Sequence, residues 1–188
     1  MSSSIARQEA IQAARTKIAL KPVYLDTETT GAGFKDEIIE IGIISDTGEV
    51  LFESLVKPVG RITPDAYRVH GIGDDLLAGA PRWMHVWPQV EAVLAGRQVA
   101  IYNADFDLRM MQQTHALYKM RWRFPGEAFC VMKLYAQFYG EYNPRMMDYK
   151  WQSLENAGKQ CGISLNNTHR ATDDVLLTRA LLQYMAEQ

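Results

Sequence analysis

Two acids one residue apart, Asp26 and Glu28, follow directly on the apolar run Val23-Tyr24-Leu25 and lead into Thr29-Thr30-Gly31. A β-branched and aromatic run of this kind reads as a buried strand, and acids at its end are delivered to the sheet's end, where open α/β sheets hold ligands. Side chains alternate along a strand, so Asp26 and Glu28 present two carboxylates to one small volume. Like charges that close cannot both stay ionised unaided: one keeps a proton, or cations sit between them. With no His or Cys inside the stretch, an all-oxygen donor set favours Mg²⁺ or Mn²⁺ over Zn²⁺. Taken alone, the pair also fits a capped turn into a helix or a solvated strand edge, so the rest of the chain decides.

A length of 188 residues suits one well-buried α/β domain. The sequence has no apolar run of the roughly 18 residues that span a membrane, and its start, Met1-Ser-Ser-Ser-Ile-Ala-Arg, lacks a basic segment followed by an apolar one. A cytoplasmic protein is expected. Cys130 and Cys161 fit reduced core residues. The net charge of −2 speaks against coating duplex DNA by counterion release. A local groove stays open: from Arg109 to Lys150 there are seven cations against three acids, interleaved with aromatics such as Trp122, Tyr135, Tyr149 and Trp151. Aromatics among cations suit stacking on single-stranded bases.

In chain order, the Ala-rich stretch Ser4–Leu20 reads as a helix whose narrow stripe of Ile11, Ala14 and Ile18 packs on the domain or on a second copy, making a homodimer conceivable. Residues 1–21 are set apart as this N-terminal helix and 22–188 as the main domain. Glu37–Asp46 and Glu49–Val56 form two strands around the turn Thr47-Gly48. Thr63-Pro64-Asp65 opens a short helix that closes at His70-Gly71. Further helices are expected over Pro81–Leu94, Phe106–Lys119, Met132–Phe138, Ser153–Cys161 and Arg170–Met185, with strands at Arg97–Asn103 and Phe129–Val131. Three antiparallel strands therefore lead into alternating helix and strand, a mixed α/β sheet with helices on its faces. Gly31-Ala-Gly33-Phe-Lys-Asp36 lacks the glycine pattern of a dinucleotide fingerprint or a phosphate loop and reads as a flexible turn.

Two more acidic groups stand at element junctions: Tyr102-Asn-Ala-Asp-Phe-Asp107 after the fourth strand, and His169-Arg-Ala-Thr-Asp-Asp174 at the start of the last helix. The ordered set Asp-x-Glu-Thr-Thr-Gly, Asn-x-x-Phe-Asp and His-x-x-x-x-Asp resembles the three motifs of the DEDDh 3′–5′ exonucleases, the superfamily of the bacterial polymerase III proofreading subunit and ribonuclease T. The likeness extends through Ile62–Ile72 and covers about Val23 to Leu182. It implies a ribonuclease-H-like fold and removal of nucleotides from a 3′ end, with two Mg²⁺ or Mn²⁺ ions per site. Asp26 then corresponds to the residue bridging both ions, Glu28 and Asp174 to ligands of the hydrolytic ion, Asp107 to support of the second, and His169 to the general base. Thr29 and Thr30 are implied to lie near the terminal nucleotide, and His70 and Ile72 to line the pocket for its base. Family spacing selects Asp107 over Asp105 and Asp174 over Asp173; helical periodicity does not separate the last two. Tyr102 departs from the His found there in many members. The chain ends just after its last expected helix, which favours a free-standing nuclease over a polymerase-tethered subunit. The implied substrate is a single-stranded nucleic acid 3′ end, with DNA favoured, RNA as the alternative, and a non-catalytic binding module of the same fold as the other class of reading.

Overall fold

The computed structural model describes residues 3–165 and 169–188. Helix α1 (Ser3–Ala19) ends before Pro22, and strand β1 (Val23–Thr29) follows. Strand β2 (Ile38–Ile44) is buried along its whole length, as its nearly continuous Ile run requires of a central strand. β3 (Val50–Leu55) returns through a turn at Gly48, whose φ of 94° is left-handed. β1–β2 and β2–β3 pair antiparallel. Helix α2 (Pro64–His70) is capped by Thr63, whose hydroxyl accepts from the Ala66 amide, and ends at Gly71 in the left-handed conformation. Helices α3 (Asp74–Leu77) and α4 (Trp83–Leu94) lead to β4 (Gln98–Ile101), α5 (Ala104–Leu117) and β5 (Glu127–Cys130). β4 lies parallel to β1, and β5 parallel to β4, giving the sheet order β3-β2-β1-β4-β5. Helix α6 (Val131–Tyr139), the small hairpin β6 (Tyr142–Asn143) and β7 (Asp148–Tyr149), α7 (Leu154–Gln160) and α8 (Ala171–Glu187) complete the chain.

Alternation along β1 divides the core. Tyr24 joins Ala100 and Tyr102 in a cluster with Ile11 of α1, Tyr135 of α6 and Leu181 of α8. Val23 and Leu25 face Trp83 and Val90 of α4 and Met111 of α5 on the opposite side. Each fully buried aliphatic side chain here is worth about 1.5–3 kcal/mol relative to exposure. The expected mixed sheet with helices on both faces is therefore present. The N-terminal helix packs on α6 and α8: Arg7 lies over the Phe138 ring at 3.8 Å, and Arg15 donates to the Ala186 carbonyl at 2.8 Å.

Two elements were not expected. α3 is a single turn, too short for a periodic pattern, and the β6–β7 ladder holds only two residue pairs. The stretch from Arg109 to Lys150 does not form one groove. Trp122 and Phe124 join Trp87 and His115 before the start of β5, at the sheet end away from Asp26. Tyr135 and Phe138 lie in the core, while Tyr142 and Tyr149 pair across the hairpin. No helix among the described residues is long and apolar enough to cross a membrane.

Candidate active site

The site forms where one strand ladder stops. β4 pairs with β1 only from Val23↔Val99 to Leu25↔Ile101, so from Asp26 onward β1 is paired with β2 alone. The vacated flank receives the first turn of α5. Asn103 reverses the chain there with φ 62° and ψ 50°, a left-handed conformation that Asn tolerates better than most residues. Asp107, 3% exposed, is thereby set beside Thr27, whose hydroxyl donates to its Oδ1 at 2.7 Å. Asp105, two residues earlier, points outward to Lys133 at 2.6 Å.

The start of α8 arrives from the other face of β1, the face to which Asp26 and Glu28 belong. Asp174 is 5% exposed, and Asp173 is exposed. His169 Nδ1 stands 3.9 Å from Asp174 Oδ2. Ligand-type atoms of Glu28, His169 and Asp174 all lie within 4.8 Å of one another. The structure thus brings together all five residues of the three motifs around the end of β1.

Electrostatics sets the chemistry of this cluster. Burial, followed by repulsion from Asp107, Glu28 and Asp174, holds the Asp26 carboxyl well above its ordinary range. Burial first, then Asp174 and Glu40, pushes Glu28 up to about 9. Burial raises Asp107 to about 7 against the opposing hydrogen bond from Thr27. Carboxyl groups in such surroundings bind protons unless cations replace them. Carboxylate oxygens beside one imidazole fit hard divalent cations, so the donor set matches the ions that the motifs imply.

A cleft of about 490 Å³ opens beside these groups, with Glu28 and Thr29 at its inner end and Ala66, Val69, His70 and Phe106 along its walls. Thr29 donates to the Gly31 carbonyl at 2.8 Å. Thr30 is buried and holds the next loop: its hydroxyl donates to Asp36 Oδ1 at 2.8 Å, and Asp36 Oδ2 accepts from the Gly33 amide at 2.7 Å. The segment expected to be a flexible turn is therefore a pinned loop. His70 accepts from the Ile72 amide at Nδ1, 3.0 Å, so its proton sits on Nε2 and is donated to the Thr29 carbonyl at 3.1 Å. This ring fastens α2 to the end of β1, and burial lowers its pKa. Ile72 packs with Ile39 and Leu77 in a small apolar cluster and is not among the residues lining the cleft. Tyr102 donates to the Gln152 carbonyl at 2.9 Å, tying the segment before α7 to the end of β4.

One residue at the site lay outside the motifs. Glu40 of β2 stands opposite Glu28 in the ladder and is 1% exposed, bound to Arg170. The available signal was an acid in the middle of an Ile-rich central strand, where a charge persists only when paired.

A mixed sheet of order β3-β2-β1-β4-β5 with helices on both faces, gathering four carboxylates and a histidine around the end of β1, is a fold of the ribonuclease-H-like class. The sequence profile of the RNase T type, described as "Exonuclease", matches residues 23–182, and the chain belongs to that family. It is 34% identical over 171 residues to the uncharacterized exonuclease CP81 of Escherichia phage 186, covering 88% of each protein. It is 29% identical to the DNA polymerase III subunit epsilon of Treponema pallidum, covering 85% of this chain and 74% of that one. Among solved structures, exonuclease X in complex with 5′-overhanging duplex DNA superposes with a TM-score of 0.66 at 25% identity, covering 88% of this chain and 92% of that chain. The nuclease domain of 3′hExo, a DEDDh family member bound to rAMP, superposes at 0.69 with 17% identity over 88% and 91% of the two chains, a likeness of fold.

Proposed function

We propose that the protein is a divalent-metal-dependent 3′–5′ exonuclease that hydrolyses the last phosphodiester bond of a single-stranded 3′ end, DNA in preference to RNA, and releases nucleoside 5′-monophosphates. The observation that carries this reading is the convergence of Asp26, Glu28, Asp107, Asp174 and His169 around the end of β1, beside the cleft, with burial raising all of Asp26, Glu28 and Asp107 and repulsion from neighbouring acids adding to it at Asp26 and Glu28. DNA is favoured because the relatives between 25% and 34% identity that name a nucleic acid name DNA.

Asp26, Glu28, Asp107 and Asp174 would hold two Mg²⁺ or Mn²⁺ ions. When bound, such ions polarise the phosphoryl oxygens, promote ionisation of water and stabilise the leaving 3′ oxygen. His169, half-buried beside Asp174, accepts the proton of the attacking water on its imidazole. Thr29 and the walls formed by Val69, His70 and Phe106 orient the terminal nucleotide. Attack by the water oxygen forms the new P–O bond as the bond to the 3′ oxygen breaks, and that oxygen then takes up a proton.

Digestion of matched DNA and RNA oligonucleotides carrying a 3′ label, with Mg²⁺ or EDTA, tests the proposal. Mononucleotide release from the 3′ end with Mg²⁺ alone, faster on DNA, is expected. Retarded but intact strands would identify a binding module instead. Release in EDTA would refute the metal requirement, and faster digestion of RNA would overturn the DNA preference.

A further inference from the structure

His169 has a left-handed φ of 53°, a conformation uncommon for a residue with a Cβ. His169 is not part of α8, which begins at Ala171. What holds its backbone on the helix side is Arg170. The guanidinium donates from Nη2 to Glu40 Oε1 at 2.5 Å, and from Nε to Oε1 at 3.0 Å and to Oε2 at 3.2 Å. Glu40 Oε2 also accepts the Ala171 amide at 2.9 Å.

A helix start leaves its first amides without intrahelical partners, and a side chain at the cap position often serves them. Arg170 cannot accept hydrogen bonds, and the carboxylate of another element takes that place. The same face of β2 makes room for the approach. Gly42, two residues beyond Glu40, has no side chain; a Cβ there would lie 2.9 Å from Ala171 C and from Thr172 N. Across the ladder from Gly42, Glu53 accepts the Thr172 hydroxyl at 2.7 Å. The seat of α8 is thus built from one patch of β2 and β3. Its anchor, Glu40, is the ladder partner of Glu28.

We propose that Glu40 and Arg170 form a positioning pair that sets His169 over the site, with Glu40 as a further acid beside the four of the motifs, one that binds no ion. This inference rests on the exonuclease reading for its catalytic consequence. Both Glu40 oxygens are occupied by Arg170 and the Ala171 amide, which leaves the carboxylate committed to the seat. Asp174 is held otherwise: it sits within α8, whose Val175, Leu177 and Leu181 are anchored in the core. The pair therefore acts on His169, the reacting group outside the helix. A bidentate Arg–carboxylate contact fixes orientation as well as distance, and orientation is what a proton acceptor needs.

The test uses Glu40→Gln, which keeps an oxygen for the Ala171 amide but loses the charge that holds Arg170, and the milder Arg170→Lys, which keeps the charge but loses the fork. For either variant kcat on a DNA oligonucleotide is expected to fall about 10- to 100-fold, the scale of an ångström of misplacement, with KM changed less than about twofold. In a His169→Ala background the same substitutions should cost less than about threefold, because the group they position is gone. A second readout needs no activity: in ¹H–¹⁵N spectra of the imidazoles, the signals of His169, assigned by their loss in His169→Ala, should shift in Glu40→Gln and Arg170→Lys while those of His85 and His115 stay in place. Unmoved His169 signals, or an undiminished loss of kcat in the His169→Ala background, overturns the pair. A wild-type chain without nuclease activity removes the exonuclease reading, and the imidazole spectra still decide whether Glu40 and Arg170 set the ring.

Discussion

Replacing Asp107 with Asn should stabilise the ion-free protein at alkaline pH while abolishing its activity. In the folded chain the Asp107 carboxyl is raised from 3.8 to about 7, chiefly by burial. One unit corresponds to about 1.36 kcal/mol, so keeping this group ionised above pH 7 costs on the order of 4 kcal/mol. Asn carries no charge and keeps an oxygen for the Thr27 hydroxyl, now 2.7 Å from Oδ1. Its amide donors, partly unmatched, take back some of the gain. About 2 kcal/mol remains, or about 4–8 °C in melting temperature for a chain of this size. The sign follows from proton uptake: a raised acid binds its proton more readily in the folded state, so that state loses stability as pH rises from about 4 to 7. The advantage of Asn is then full at pH 8 and below half at pH 5. Burial lowers His70 and His115, which weakens the fold in acid, but it does so equally in both proteins and drops out of the difference. Thermal melts of both chains in EDTA at pH 8 and pH 5 measure it, and added Mg²⁺ or Mn²⁺ should narrow the gap by stabilising the wild type. An Asn variant that melts below wild type at pH 8, or a gap of equal size at pH 5, would refute the reasoning.

Two further substitutions probe the seat of α8 and the choice between neighbouring acids. Gly42→Ala places a Cβ 2.9 Å from two backbone atoms of α8, which cannot swing aside as a side chain would; urea unfolding should show a loss of about 1–3 kcal/mol, and a loss under about 0.5 kcal/mol contradicts the close approach. Asp173→Asn, on the exposed side of the same helical turn, should retain most exonuclease activity, whereas Asp174→Asn, facing Glu28 and His169, should lose it; kcat/KM on a labelled oligonucleotide separates the two, and the reverse order sinks the assignment.

Most of the frame was legible because its signals are local. The Ile run of β2, the Thr63-Pro64 helix start and the Gly48 turn each carry their own chemistry, and the structure places them where that chemistry requires. The alternation that put Asp26 and Glu28 on one side also holds. Signals that depend on pairing between distant segments were harder to read. Trp122 looks like a stacking platform beside Arg121 and Arg123, yet it packs with Trp87 and His115, because α4 and α5 bring apolar partners that no nearby residue announces. Asp36 looks like a loop acid until Thr30 and Gly33 are seen bonded to it. Ile72 looks like part of a binding motif, but its contacts with Ile39 and Leu77 follow from where α3 folds back.

The acids of the central strands show why residue type alone could not assign their roles. Glu28 and Glu40 are ladder partners on one face, and both are largely hidden from solvent. Glu40 meets a guanidinium and a helix amide, so its charge is matched inside the protein and it becomes part of the scaffold. Glu28 is desolvated and also meets Asp174, Glu40 itself and Asp107, so burial first and then opposed charge push its pKa up to about 9. Matched charge holds the fold; opposed charge creates a demand that only protons or added cations can meet. Arg170 is the residue that separates the two cases, since it neutralises Glu40 and also eases the repulsion felt by Glu28. Moving that one cation would turn Glu40 into another unmatched acid of the cluster, so the proposed positioning role of Arg170 and the electrostatics of the carboxylates proposed to hold metal rest on a single contact.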